Sequence, residues 1–474
     1  MLEAGASTGW LRRKPLAGAA AHGGPRLAAT LSWPHLVALG VGAIVGTGIL
    51  TLIGVGAERA GPAVLVSFAI AGAICICAAL CYAELATMMP AAGSAYSYSY
   101  VALGELFAWV VGWSLILEYS LVVSTVAVGW SGYASPLLVA VGFPVALTQG
   151  PALGGVINLP AILIIAVVAA LLMLGTRESA RVNSVLVVVK IAALALFVAV
   201  TLPAFEAANL EPFMPYGFGK TMGEDGIERG VMAAAAIIFF AFYGFDAIST
   251  AAEETKRPER DLSIGIIGSM LVCTGIYMIV AAVAVGAQPF ARFAGSPEPL
   301  ALILREMGQP GVARIIAVTA VIALPTVLLA FLYGQSRIFL VMARDGFLPG
   351  GLVQISRRGT PARVIAITAV LVAVLAGLLP IDRIAALANA GTLIAFMAVG
   401  VCLLILRRRA PDAPRSFRAP AAPVVGAGAV LGCFYLFVSL PTQTLLWCLG
   451  WNVVGLLIYV VYARRRSVLG QGAS

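Results

Sequence analysis

The chain has 474 residues, 61% hydrophobic and 11% charged, with a formal net charge of +9 and a mean hydropathy of +1.01. Soluble domains carry about 25% charged residues, so a water-soluble fold is excluded and a helical integral membrane protein is indicated. Apolar runs of about twenty residues recur from Trp33 to the carboxy terminus, too long for the strands of a membrane barrel.

Residues 1–32 are polar, Gly/Ala-rich and basic (Arg12, Arg13, Lys14, Arg26). No short apolar stretch with a cleavage site precedes the first span, so no signal peptide is expected and the tail is read as disordered. Twelve spans follow: Trp33–Gly56, Pro62–Met88, Gly104–Ala134, Leu159–Leu174, Val182–Leu202, Gly230–Ala252, Leu262–Gly286, Ala313–Met342, Ala362–Leu379, Ile384–Leu406, Ala421–Leu440 and Thr444–Tyr462. The first holds Gly40, Gly42, Gly46 and Gly48 within nine residues. Such a cluster is either a face for close helix packing or a deliberate break whose freed backbone lines a cavity.

An even number of spans puts both ends on one side, and basic residues mark that side as cytoplasmic. Of the 30 Lys and Arg residues, 22 fall there: four in the tail, two at Arg177 and Arg181, three from Lys256 to Arg260, five from Arg337 to Arg363, five from Arg407 to Arg418 and three at Arg464–Arg466. Seven fall opposite and one, Lys190, lies inside a span. The excess of +9 is therefore topology in a plasma membrane, with both termini cytoplasmic, and not a signal for nucleic acid. All seven cysteines sit in apolar segments and read as small buried hydrophobes. The two histidines, His22 and His35, have no metal-ligand spacing. No cofactor, metal site or nucleophile triad is expected, and the chain is not read as an enzyme.

Five ionisable residues remain in or beside the spans: Glu84, Glu105, Glu118, Lys190 and Asp246. A charge at mid-bilayer costs at least about 2.5–3.5 kcal/mol and needs a partner or a water-lined site. Glu84 and Glu105 fall near cytoplasmic ends, where solvation suffices. Glu118 and Lys190 lie mid-span on parallel helices and are expected partners, either as a static ion pair or as a proton site, since an amine in low dielectric can titrate. Span six carries Phe239-Phe-Ala-Phe-Tyr-Gly-Phe-Asp246, either an aromatic packing patch with a capping Asp or a second break. Spans one to five and six to ten match in length, and each set opens on an interrupted helix. An odd number of spans per half gives opposite topology, the arrangement that holds substrate at midplane between two broken helices. A half-helix amino end suits a carboxylate and freed carbonyls suit an ammonium; one site with both fits an amino acid.

The chain resembles the amino acid–polyamine–organocation transporter superfamily, in its cationic amino acid transporter branch. The resemblance runs from Ser32 onward. It rests on Gly42-Ala-Ile-Val-Gly-Thr-Gly-Ile49, Pro90-Ala-Ala-Gly-Ser-Ala-Tyr96, Gly112-Trp-Ser-Leu-Ile-Leu-Glu-Tyr119, Phe239 to Asp246, Ala252 to Pro258, Tyr333-Gly-Gln-Ser-Arg337 and Met342 to Pro349. Lys256-Arg257-Pro258 and Ser263 depart from the usual pattern after span six. The resemblance implies an all-α integral membrane protein of about twelve transmembrane helices: a five-plus-five inverted repeat with broken first and sixth helices. Residues 1–32 would be the tail, 33–203 and 204–410 the two repeats, and 411–474 two added helices with the carboxy-terminal tail. It implies a substrate carboxylate on the Gly46 loop and the N–H groups of Thr47, Gly48 and Ile49, and an ammonium on the carbonyls of Ile44, Phe240, Ala241 and Tyr243. Phe240 would be an aromatic lid, Phe331 would narrow the side-chain pocket, and Asp246 would stand at the gate. Lys190 would replace a sodium ion beside Gly42 and Thr326.

The function implied is proton-coupled symport of L-amino acids by alternating access, with neutral substrates at least as good as basic ones. Obligate exchange on the same fold and a binding-only sensor are the rivals. A channel would need a filter loop, and none is evident. The expected partners are the amino acid, protons and the lipid bilayer; a small accessory membrane subunit cannot be read from one chain.

Overall fold

The computed structural model describes residues 10–16, 31–91, 93–174, 179–252, 255–352, 354, 356 and 361–471. Most of the tail expected to be disordered, together with Ala92, Arg177 and Glu253–Glu254 of the quoted motifs and loops, lies outside these residues. Long apolar stretches become helices because every backbone N–H and C=O must be satisfied internally in lipid. They are α1a (Trp33–Ile44), α1b (Thr47–Leu50, continuing as Leu52–Ala60), α2 (Val64–Met88), α3 (Glu105–Val139), α4 (Leu159–Leu174) and α5 (Ser179–Thr201). Then come α6a (Val231–Ile238), α6b (Phe245–Thr250), α7 (Pro258–Ala287), α8 (Pro310–Arg344), α9 (Ala362–Leu378), α10 (Ile381–Arg409), α11 (Ala422–Val438) and α12 (Thr442–Ile458). Among the described residues nine helical spans are long and apolar enough to cross a membrane, and three shorter apolar helices (in α4, α9 and α11) complete the set. The shorter ones reach roughly 23–26 Å at 1.5 Å per residue, a little under the ~30 Å hydrocarbon core.

α1, α2, α6 and α7 pack on one another; α3 packs on α8 and α10, α4 on α9, and α11 on α10 and α2. α6 is buried along its whole length from Val231 to Thr250, so both breaks sit at the centre of the bundle. Apolar side chains at the periphery, such as Leu163, Ile367, Leu431 and Trp447, face outward, as lipid allows. α12 is fixed to α3 by reciprocal indole-to-carbonyl bonds: Trp113 Nε1 to Trp451 O at 2.8 Å and Trp451 Nε1 to Trp113 O at 3.0 Å.

Two of the carboxylates expected to be solvated are not. Glu84 is 1% exposed and accepts from Arg407 at 2.7 Å, Arg415 at 3.0 Å and the Ala419 N–H at 2.8 Å. Glu105, also 1% exposed, accepts from Tyr459 OH at 3.0 Å and Ser467 Oγ at 2.7 Å. These helix ends are packed by the α10–α11 loop and by the extension beyond α12, which removes the water that solvation would need. The disorder expected of the tail also fails locally: Glu105 N donates to Arg12 O at 2.8 Å and Leu106 N to Trp10 O at 3.0 Å. The tail supplies acceptors for the first N–H groups of α3, which no intrahelical partner can satisfy.

Candidate functional site

The first helix breaks at Val45–Gly46. Val45 turns to extended backbone (φ −72°, ψ 98°), and Gly46 (φ −158°, ψ −140°) starts α1b. The glycine cluster was open between a packing face and a break; the backbone here is broken. The first intrahelical bond of α1b runs from Leu50 N to Gly46 O at 3.1 Å, so the N–H groups of Thr47, Gly48 and Ile49 precede the ladder. The sixth helix tightens into a 3₁₀ turn over Phe239–Phe242, extends at Tyr243 (ψ 160°) and passes Gly244 at φ 113° before α6b. The two breaks touch. A Cβ on Gly48 would lie 2.3 Å from Ala241 Cα, and one on Gly244 would lie 2.7 Å from Ala43 Cβ. Only glycine permits that approach at these two positions.

Between the breaks lies a small cavity. Backbone and side chains of Ala43, Ile44, Gly46, Thr47 and Gly48 form one wall, and Phe240 and Tyr243 another. Val122 and Val126 of α3 and Val327 and Phe331 of α8 close the remainder. Among these lining residues none is charged. Ile49 and Ala241, expected at the site, are buried behind it, Ala241 against Gly48. The Phe240 ring centroid is 5.0 Å from that of Tyr243. Two polar atoms at the site, Thr47 Oγ1 and Tyr243 OH, are buried beside the cavity.

Lys190 projects from α5 into the first break. Its Nζ donates to Gly42 O at 2.9 Å, Val45 O at 3.1 Å and Thr326 Oγ1 at 2.9 Å. An ammonium has three donors, and all three are used. The two carbonyls are available because the helix ends there. Thr326 follows Pro325, which lies inside α8. Proline lacks the N–H that would reach Val321 O, and Trp130 Nε1 from α3 donates there instead, at 2.8 Å.

The expected ion pair between Glu118 and Lys190 does not form. Glu118 is fully buried, and neither carboxylate oxygen has a hydrogen-bond partner. It packs toward α10, where a Cβ on Gly391 would come within 3.1 Å of Glu118 Cβ. Their helices turn the two residues to different sides: Lys190 to α1 and α8, Glu118 to α10. Asp246 is held on α6b, its Oδ1 accepting from Gly244 N at 3.1 Å and its Oδ2 from Tyr119 OH at 2.7 Å. It thus sits in the first turn of the second half-helix and ties that turn back to Gly244 and across to α3. Near the end of α6b, Ser249 Oγ donates to Ser94 Oγ at 2.8 Å. Ser94 holds φ 53° and ψ −138°, a conformation nearly confined to glycine.

Three positioning contacts had no motif to announce them. Tyr277 OH on α7 donates to Ile44 O at 2.6 Å, Tyr133 OH on α3 donates to Leu50 O, and Asn389 on α10 reaches the end of α6a. The available signal was a lone polar residue in an apolar span, which must find a partner in lipid. Ile44 O, expected to hold an ammonium, keeps one lone pair free beside Tyr277.

Comparison with known proteins agrees with this architecture. The amino acid permease family model matches residues 31–462. The chain is 46% identical over 443 residues to the branched-chain amino acid permease BcaP of Bacillus subtilis, covering 92% of this chain and 93% of that protein. It is 41% identical to the methylthioribose transporter of the same organism, covering 97% and 99%. It is 37% identical to the vacuolar cationic amino acid transporter 4 of Arabidopsis thaliana, covering 82% of this chain and 64% of that one. The chain belongs to the amino acid permease family. It is thus a multi-pass membrane transporter and not an enzyme.

Proposed function

We propose that the protein carries neutral, chiefly branched-chain L-amino acids into the cell by proton-coupled symport. The observation that carries the substrate reading is an uncharged cavity walled by two helix breaks and closed by Val122, Val126, Val327 and Phe331. The N–H groups of Thr47, Gly48 and Ile49 meet the carboxylate, the carbonyls of Ile44, Phe240, Ala241 and Tyr243 meet the ammonium, and the valines and Phe331 take the side chain. A basic side chain would find no counter-charge among the lining residues. The similarity to a protein named as a branched-chain permease supports the same choice. Residues 33–203 and 204–410 act as the two repeats, 411–474 supply the added helices, and both termini face the cytoplasm of the plasma membrane.

Coupling is assigned to Lys190. Protonated, it ties α5 and α8 to the carbonyls of the first break through all three donors. Deprotonated, it loses its charge and one donor, and its lone pair faces an acceptor. The hold on α1 then weakens, and the balance between outward and inward states shifts by that difference in affinity. Glu118, fully buried beside α10, is a second group whose protonation would remove a buried charge.

The test is uptake of labelled leucine by purified protein in proteoliposomes, with competition by alanine, arginine and methylthioribose. Competition by alanine and leucine with little by arginine is expected. Strong inhibition by arginine alone reverses the side-chain reading. Strong inhibition by methylthioribose reassigns the cavity to the chemistry of the second relative. Uptake only into preloaded vesicles makes the protein an exchanger, and binding without uptake makes it a sensor.

A further inference from the structure

Asn389 lies in the first third of α10 and is fully buried. Its Nδ2 donates to two successive carbonyls, Ala236 O at 2.6 Å and Ile237 O at 3.1 Å. These are among the last carbonyls of α6a. In an uninterrupted helix they would accept from the N–H groups of Phe240 and Ala241, four residues on. A helix that stops in lipid needs substitute donors for such groups. A primary amide carries two N–H bonds on one nitrogen, and here both serve one helix end.

The surrounding face of α10 is built to match. Phe396, two turns beyond Asn389, packs edge-on to Phe239 at 5.8 Å and tilted against Phe245 at 5.1 Å. Those two rings stand on either side of the second break. Gly391 lets α10 approach α3, since a Cβ there would fall 2.8 Å from Ser114 O. α10 thus contacts the break from behind, while the cavity lies on the other side with Phe240 and Tyr243 in its wall.

We propose that Asn389 is a positioning residue for recognition of the substrate ammonium. It fixes where α6a ends, and so where the carbonyls of residues 240–243 point. It does not touch substrate. This rests on the amino-acid reading of the cavity given above. Losing Asn389 lets α6a extend or fray by part of a turn, which turns those carbonyls away from the cavity. The α1b end of the site, which takes the carboxylate, is not held by Asn389 and is expected to be unaffected.

The experiment compares two ligands on the full-length protein in detergent: L-leucine, and 4-methylpentanoate, which keeps the carboxylate and side chain but lacks the amino group. Equilibrium dissociation constants are measured for wild type, Asn389→Leu and Asn389→Ser. Wild type is expected to favour leucine strongly. Asn389→Leu is expected to lower leucine affinity roughly tenfold or more, the loss of one to two net hydrogen bonds to the ammonium, with 4-methylpentanoate affinity unchanged. Asn389→Ser, which keeps one donor and is the milder packing change, is expected to fall between. An unchanged leucine preference in both variants overturns the inference, as does an equal loss for both ligands, which would make Asn389 merely structural. If Asn389→Leu does not yield folded protein, the same ratio is read from Asn389→Ser. Wild type that fails to distinguish the ligands brings down the amino-acid reading instead.

Discussion

The contact between the two helix breaks can be tested at a single atom. Gly48 lies in the first turn of α1b against Ala241, and a methyl group there would sit 2.3 Å from Ala241 Cα and 2.5 Å from Ala241 Cβ, where ordinary contact is 3.4–4 Å. Backbone cannot rotate away as a side chain can, so Gly48→Ala must part the two breaks by about 1 Å. Overpacking of this kind costs typically about 1–3 kcal/mol. If that strain is borne mainly where the ligand closes the breaks together, leucine affinity falls roughly 5- to 150-fold, at 1.4 kcal/mol per tenfold. The control is Gly275→Ala in α7, where a Cβ meets nothing within 4 Å. That change replaces a helical glycine and should leave binding alone while raising stability by about 0.5–1 kcal/mol. The assay is equilibrium binding of labelled leucine to both purified variants, with thermal unfolding alongside. Wild-type affinity and melting temperature in Gly48→Ala would refute the packed-break geometry. So would equal damage in Gly275→Ala.

Three further outcomes are expected. Lys190→Ala should abolish pH-driven accumulation while leaving leucine binding measurable, and Lys190→Arg should fail likewise because a guanidinium does not deprotonate; accumulation by either variant at the wild-type level would remove the proton role. Glu84→Ala leaves Arg407 and the buried Arg415 without their carboxylate; breaking such a pair costs about 3–5 kcal/mol, seen as a large drop in melting temperature with the substrate specificity unchanged. Ser94→Gly relieves a positive φ and removes the hydroxyl that meets Ser249, whereas Ser94→Ala removes only the hydroxyl; the glycine variant should melt at the higher temperature of the two by the equivalent of about 1 kcal/mol, and thermal unfolding of the pair decides it.

Much of the fold was legible because a membrane imposes few solutions. Apolar length gave the spans; the glycine cluster alone left a packing face and a break open, and the second interrupted segment in span six favoured the break. Pairing was not legible. A residue's place along its span is read by counting, but its azimuth depends on how neighbouring helices pack, so two mid-span residues, Glu118 and Lys190, face different helices. Glu84 and Glu105 were misjudged for a related reason: the α10–α11 loop and the extension beyond α12 cover their helix ends, and nothing in the spans themselves announces a covering loop. Trp130 could have been anticipated. Pro325 necessarily orphans the Val321 carbonyl, and only a donor from another helix can satisfy it in lipid.

The central claim is that a proton gradient drives uptake through the cavity between the two breaks. Its most direct test is accumulation of labelled leucine in empty proteoliposomes under an imposed inward proton gradient with sodium absent. Accumulation above equilibrium, lost when the gradient is collapsed, is the expected result. No accumulation, with rapid uptake once the lumen is preloaded with amino acid, would contradict it and leave an exchanger in which Lys190 is a fixed structural cation.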